Sequence, residues 1–301
     1  MSLLNKLIII LGIITVPLVA LSTEETPLFD PYISGKNVGL GKSAGLSTTD
    51  YNNMIQNPSS IINSTGISLH ANQYMDIDYS SIIFSNELNT LSFAVQYLGS
   101  SISDINRSVA NGTYITEIEN SVPYEFHSLS IAFAKNIFGI DFGAGIQYQT
   151  LILDDITEET VNEFIGLTFI PSKEARIGFS IQNITPKNDI ENALQKEHPI
   201  YSTGVSYKLS NFTTAHLAFI YNENEISTHS TVHYGIEQYI SKYLPIRLGI
   251  DHNRYTVGVG LNLDPFEIDI GWAESRTDII DDQLTISFSY AFTEKNHLYK
   301  P

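Results

Sequence analysis

Residues 284–292 read LTISFSYAF, and their two faces differ in kind. In an extended strand Leu284, Ile286, Phe288, Tyr290 and Phe292 point one way, while Thr285, Ser287, Ser289 and Ala291 point the other. A half-buried strand of a water-soluble sheet carries such alternation, with its oily side on a core. A barrel in a lipid bilayer carries it inside out. The two cases are told apart by the non-oily face: a soluble sheet covers it with long charged residues, and a confined lumen fills it with small or neutral polar ones.

Working outward, the second half of the chain repeats the second pattern. Phe138, Ile140, Phe142, Ala144, Ile146 and Tyr148 alternate with Gly139, Asp141, Gly143, Gly145 and Gln147. Tyr255, Val257, Val259 and Leu261 alternate with Thr256, Gly258 and Gly260, and Phe266, Ile268, Ile270 and Trp272 with Glu267, Asp269 and Gly271. About fourteen such strands are predicted between residues 66 and 292, an even number in the range of outer-membrane barrels. Short connections at 136–138, 171–174, 210–212, 239–243 and Asp264 alternate with longer ones at 99–125, 151–161, 184–199, 222–229 and 275–283. The single exception is 253–254. Tight turns at one end and long loops at the other are the habit of such barrels.

The composition agrees. Of 301 residues 43% are apolar but only 16% are charged, against roughly 25% in ordinary globular domains. The net charge of −17 and the lack of any Lys/Arg block exclude a nucleic-acid footprint. With no cysteine, disulfides, thiolate metal sites and a Cys nucleophile are excluded.

Four parts are expected. Residues 1–22 carry Lys6, an apolar run from Leu7 to Leu21 and Ala20-Leu21-Ser22, which read as a cleaved secretory signal. Residues 23–65 form an N-terminal hatch or plug segment, 66–292 a transmembrane antiparallel all-β barrel, and 293–301 a polar tail. The segment GKNVGLGKSAGLSTTDYNNMIQNPSSI (35–61) combines glycines that allow close backbone approach with the turn dipeptide Asn57-Pro58. Its irregularly spaced Leu40, Leu46, Ile55, Ile61 and Ile62 suit a compact plug inside the lumen.

Ionisable residues on the predicted inward face are His70, Arg176, Lys208, His233, Glu237, Arg247, Asp251, Glu267 and Asp269. Arg247, Asp251 and Glu237 are expected to share a lumenal ion-pair network. Arg176, Arg247 and His70 are the ligand-binding candidates, with a purely structural network as the competing explanation. The acidic loop residues Asp154, Asp155, Glu158, Glu159, Glu223, Glu225, Asp278, Asp281 and Asp282 lack EF-hand spacing and read as a solvated rim. No nucleophile elbow, zinc helix or phosphate loop is present, so neither enzyme, metal nor cofactor is expected. Asn-x-Ser/Thr triplets at Asn63, Asn106, Asn111, Asn183 and Asn211 read as coincidence in an Asn-rich chain.

The stretch GLGKSAGLSTTDYNNMIQNPSS resembles the opening of FadL-like outer-membrane barrels, in particular the PorV-type branch, with Ser59 where Ala is usual. FSIQNITP (179–186), TGVSYKL (203–209) and HYGIEQYI followed by LPIRLGI (233–250) are similar to that branch's strand motifs, in the same order. The resemblance implies a plugged fourteen-stranded barrel that takes up long-chain fatty acids or other hydrophobic compounds across the bacterial outer membrane. It carries over Gly39, Gly41, Asn57 and Pro58 as hatch positions, and Glu237 and Arg247 as barrel-motif positions. The PorV-type branch implies instead a secretion shuttle holding protein cargo. Outer-membrane lipid, hydrophobic small molecules and secreted protein cargo are the expected partners.

Overall fold

The computed structural model describes residues 34–292 apart from 75–76, 112–113, 155, 186–197, 224–227, 253 and 276–281. The predicted signal and tail lie outside the described residues. Fourteen strands follow a short N-terminal segment: β1 (Gly66–Tyr74), β2 (Ile77–Leu88), β3 (Leu91–Asn111), β4 (Tyr114–Ile137), β5 (Ile140–Leu153), β6 (Ile156–Phe169), β7 (Ala175–Gln182), β8 (Ile200–Lys208), β9 (Thr213–Glu223), β10 (Thr228–Ser241), β11 (Leu244–Asp251), β12 (Arg254–Leu263), β13 (Phe266–Ser275) and β14 (Gln283–Ala291). Each pairs antiparallel with its neighbours in sequence, and β1 closes the ring on β14 from Gly66↔Ala291 to Tyr74↔Gln283. Among the described residues no helix is long and apolar enough to cross a membrane.

The parity read from the sequence decides which side chains face out. Phe288 is 41% exposed, and its neighbours Ser287 and Ser289 are buried. Leu69, Ile82, Leu129, Ile146, Ile165, Phe219, Leu248, Val257 and Ile270 extend the exposed apolar surface around the ring. From Leu284 to Phe292 the eight residue steps of about 3.3 Å, tilted by roughly 40°, rise roughly 20 Å, close to the ~25 Å apolar band of membrane barrels. Inward positions hold Ser68, Ser85, Ser130, Ser202, Thr285 and Gly258, whose small size leaves room for chain inside.

Two predicted loops are strands instead. Residues 99–125 are mostly paired: β3 and β4 continue to Asn111↔Tyr114, with register shifts between Ile102 and Ile105 and between Asn106 and Arg107. Residues 151–161 likewise belong to β5 and β6, which stay paired to Leu153↔Ile156. Beyond the apolar band both faces of a ribbon can meet water, so the period-two signal fades while the backbone ladder goes on.

Because the outward face is oily rather than charged, Phe288→Arg, in mid-band, is expected to cost about 2–4 kcal/mol in denaturant titrations of the vesicle-inserted barrel. Phe288→Leu should cost less than about 1.5 kcal/mol. A Phe288→Arg protein as stable as the parent would contradict the inside-out reading.

Candidate functional site

Residues 34–65 lie against the inward face of the wall. They begin with α1 (Gly35–Gly39), capped by the Ser34 side chain, which accepts from the Asn37 N–H at 3.2 Å. A single turn of helix next to a sheet needs close approach, and glycine supplies it. A Cβ at Gly39 would lie 2.7 Å from the Cα of Gly258 on β12. Gly41 takes a positive φ of 60°, and a Cβ there would lie 2.6 Å from the Ile250 carbonyl oxygen. The segment then makes a 3-10 turn at Tyr51–Asn53, capped by Asp50, and another at Pro58–Ile61, capped by Asn57.

It spans the lumen from the β11–β14 side to the β3–β6 side. At the far side Tyr51, Met54, Ile55, Ile61 and Ile62 pack on Ile83, Ala94, Ala132, Ala134 and Phe164 of the wall. Asn57 Nδ2 donates to the Leu46 carbonyl at 2.6 Å and to Thr168 Oγ1 at 3.1 Å, and its Oδ1 accepts from the Ser59 N–H at 3.1 Å. Pro58, lacking an N–H, fits the first position of its turn. Gln182 Nε2 donates to the Ile55 carbonyl at 3.0 Å, and Thr256 Oγ1 to the Gly39 carbonyl at 3.2 Å.

Two charged clusters lie where the segment meets the wall, and the second joins them by an ion pair. Toward the short-turn end, Arg247 is fully buried; its Nε donates to Glu237 Oε2 at 2.7 Å and its Nη1 to Asp269. Lys36 Nζ lies 3.4 Å from Asp50 Oδ2 within the segment. Burial works against the Lys36 ammonium, but the Asp50 carboxylate, with Glu267 and Glu237 behind it, outweighs that and raises its pKa above the ordinary lysine value. Toward the long-hairpin end, Asp251 meets Lys42 of the segment at 3.2 Å, His233 Nδ1 at 3.0 Å and Arg254. His233 Nδ1 is also 3.0 Å from the Gly41 carbonyl oxygen.

The three ligand-binding candidates are all held in place. His70 is buried: Gly35 N–H donates to Ser287 Oγ at 2.7 Å, the Ser287 hydroxyl faces His70 Nδ1 at 2.7 Å, and His70 Nε2 faces Asn52 Oδ1 at 3.2 Å. Arg176 donates to Thr49 of the segment. Arg247 does meet Glu237, as cross-strand parity suggested, but its second carboxylate is Asp269 rather than Asp251. Asp251 is four residues along the same strand, about 13 Å away at strand rise, whereas the barrel's stagger brings Asp269 alongside.

Sequence reasoning missed the lumen above the segment. There Tyr74, Ile77 and Tyr79 cluster with Ile102, and Leu98 and Phe126 with Tyr124 and Leu151. The Arg254 guanidinium lies 5.5 Å over the Tyr74 ring, joining the aromatic patch to the Asp251 cluster. The signal was present as parity: these are inward positions carrying large residues where the inward face is otherwise small.

No protein-family model matches the chain, and no curated protein does. Several solved structures share its fold. The toluene transporter TodX of Pseudomonas putida is 10% identical with a TM-score of 0.59, over 86% of this chain and 97% of that one. The CymD monoaromatic hydrocarbon channel is 10% identical with a TM-score of 0.59, over 88% and 98%. A Pseudomonas aeruginosa FadL homologue is 10% identical with a TM-score of 0.58, over 87% and 98%. The likeness is one of fold, to FadL-type barrels, and it lends the PorV-type branch no support.

Removing Arg247 leaves two buried carboxylates without their cation. Arg247→Met is therefore expected to lose about 3–5 kcal/mol in denaturant titration, and adding Glu237→Gln and Asp269→Asn should restore most of it.

Proposed function

We propose that this chain is an outer-membrane channel for hydrophobic small molecules, the class that includes long-chain fatty acids, and that residues 23–65 act as its hatch. The observation that carries the reading is a closed barrel, oily outside, whose lumen is crossed by residues 34–65 beneath an inward-facing aromatic patch. A water-filled porin has no use for a packed apolar cluster across its bore. An apolar solute gains by leaving water for the Tyr74–Tyr79 and Leu98–Phe126 patches. The toluene transporter and the monoaromatic hydrocarbon channel among its structural neighbours support the same class by analogy.

On this reading Gly39 and Gly41 let the hatch backbone touch the wall, while Asn57 and Pro58 shape its far turn and pin it to Thr168. Arg247, His70 and Arg176 serve as anchors of wall and hatch. Passage requires the hatch to shift, since its contacts fill the space between β11–β14 and β3–β6. Residues 1–22 would direct export. The alternative is a secretion-type shuttle that grips protein cargo with its outer loops; cargo co-purification without solute flux would be its signature.

The test is uptake by proteoliposomes. The parent should carry fatty-acid and monoaromatic probes faster than protein-free vesicles. Asn57→Ala removes the bond to Thr168 that ties hatch to wall, worth roughly 1 kcal/mol, so hatch opening and flux should rise about fivefold. Parent flux no higher than in empty vesicles would defeat the proposal.

A further inference from the structure

Resting on that channel reading, we propose that the lumen wall built by β2–β6 binds the head group of an uncharged, hydroxyl-bearing amphiphile, a molecule of the alkyl-glycoside type. The inward side chains of β4–β6 form a neutral ladder. Gln147 Nε2 donates to Ser128 Oγ at 2.9 Å, Gln149 Nε2 to Gln147 Oε1 at 2.9 Å, Thr160 Oγ1 to Gln149 Oε1 at 3.2 Å and Asn162 Nδ2 to Gln149 Oε1 at 3.3 Å. A hydrocarbon conduit gains nothing from such a wall, because each of these groups prefers a polar partner.

The ladder is incomplete on one side. The hydroxyls of Ser81 on β2 and Ser130 on β4 have no hydrogen-bond partner, and the residues expose only 6% and 0% of their surface. Ser130 stands directly opposite Gln147 and Ser128 opposite Gln149. Phe126 and Leu98 lie beside them, so unpaired hydroxyls and amides border an aromatic edge. Buried hydroxyls without partners imply a partner that comes and goes, and a sugar-like ring offers hydroxyls for the one and apolar C–H faces for the other.

The charges settle the head group's own charge. Among the described residues the ladder holds no cation, and the half-buried Glu158 at its upper end has an unpartnered Oε2. That oxygen accepts from a hydroxyl and repels a carboxylate. Lys42 and Arg254 stand at the β11–β12 side, already engaged by Asp251, so an anionic head would have to compete with a buried carboxylate for them.

The full chain, reconstituted in nanodiscs, is titrated with three probes of equal chain length: octyl β-glucoside below its micellar concentration, octanoate and n-octane. Protein-dependent binding is taken over protein-free nanodiscs. Octyl glucoside should bind at least tenfold tighter than either of the others. Ser130→Ala with Gln149→Leu should erase that preference and leave n-octane binding within twofold. Retained heat-modifiable mobility certifies the folded barrel, and the milder Ser130→Ala alone should still weaken glucoside binding threefold or more. Equal or tighter binding of octanoate or n-octane overturns the inference while the channel reading stands. Glucoside binding untouched by either variant also overturns it. If no probe binds, both fall.

Discussion

Everything in this molecule depends on one constraint: within hydrocarbon no water is available to a peptide group, so the backbone must bond entirely to itself. A single sheet meets that condition only when its first and last strands meet. Here β1 and β14 do so over nine consecutive pairs. Once the ring is closed, the pleat assigns the side chains within the apolar band alternately to lipid and lumen, and a shift of one residue would reverse them all. The burial of Ser287 beside exposed Phe288, and of Thr285 beside exposed Leu284, follows from that assignment.

This is why so much of the fold was legible. The parity of LTISFSYAF, and of 255–263 and 266–272, is local information, readable without knowing any partner. Parity stops being informative where the bilayer stops. The outer reaches of β3 and β4 read as a loop because their sequence no longer distinguishes two sides, although their hydrogen bonds continue. The site was less legible for a different reason. Arg247 meets Asp269 because of the stagger between β11, β12 and β13, a property of the closed ring that no single strand encodes. Glu237 was foreseeable as the direct cross-strand neighbour. The large inward residues Tyr79, Leu98 and Phe126 were foreseeable too, had the alternation been followed to the ends of their strands.

The interior is a compromise between filling and polarity. Small wall residues give backbone-to-backbone contact, as between Gly39 and Gly258, while the largest apolar cluster of the segment lies on the far side around Met54 and Phe164. Two groups of buried charges are matched by opposite ones, Arg247 with Glu237 and Asp269, Lys42 and Arg254 with Asp251. Buried pairs of this kind fix a geometry more than they add stability, and the Lys42–Asp251 pair fixes where the segment meets the wall.

The segment that crosses the bore precedes β1 in the chain and joins it within a few residues, at Ser64 and Thr65. When the last seam forms between the two ends of the sheet, whatever is to occupy the middle must already be there or must arrive through an open end. Ring closure is thus also an act of wrapping. Contacts such as Gly35 to Ser287 join residues 252 positions apart, so the contents and their container mature together, in the slow, late stage of assembly that such distant pairings impose.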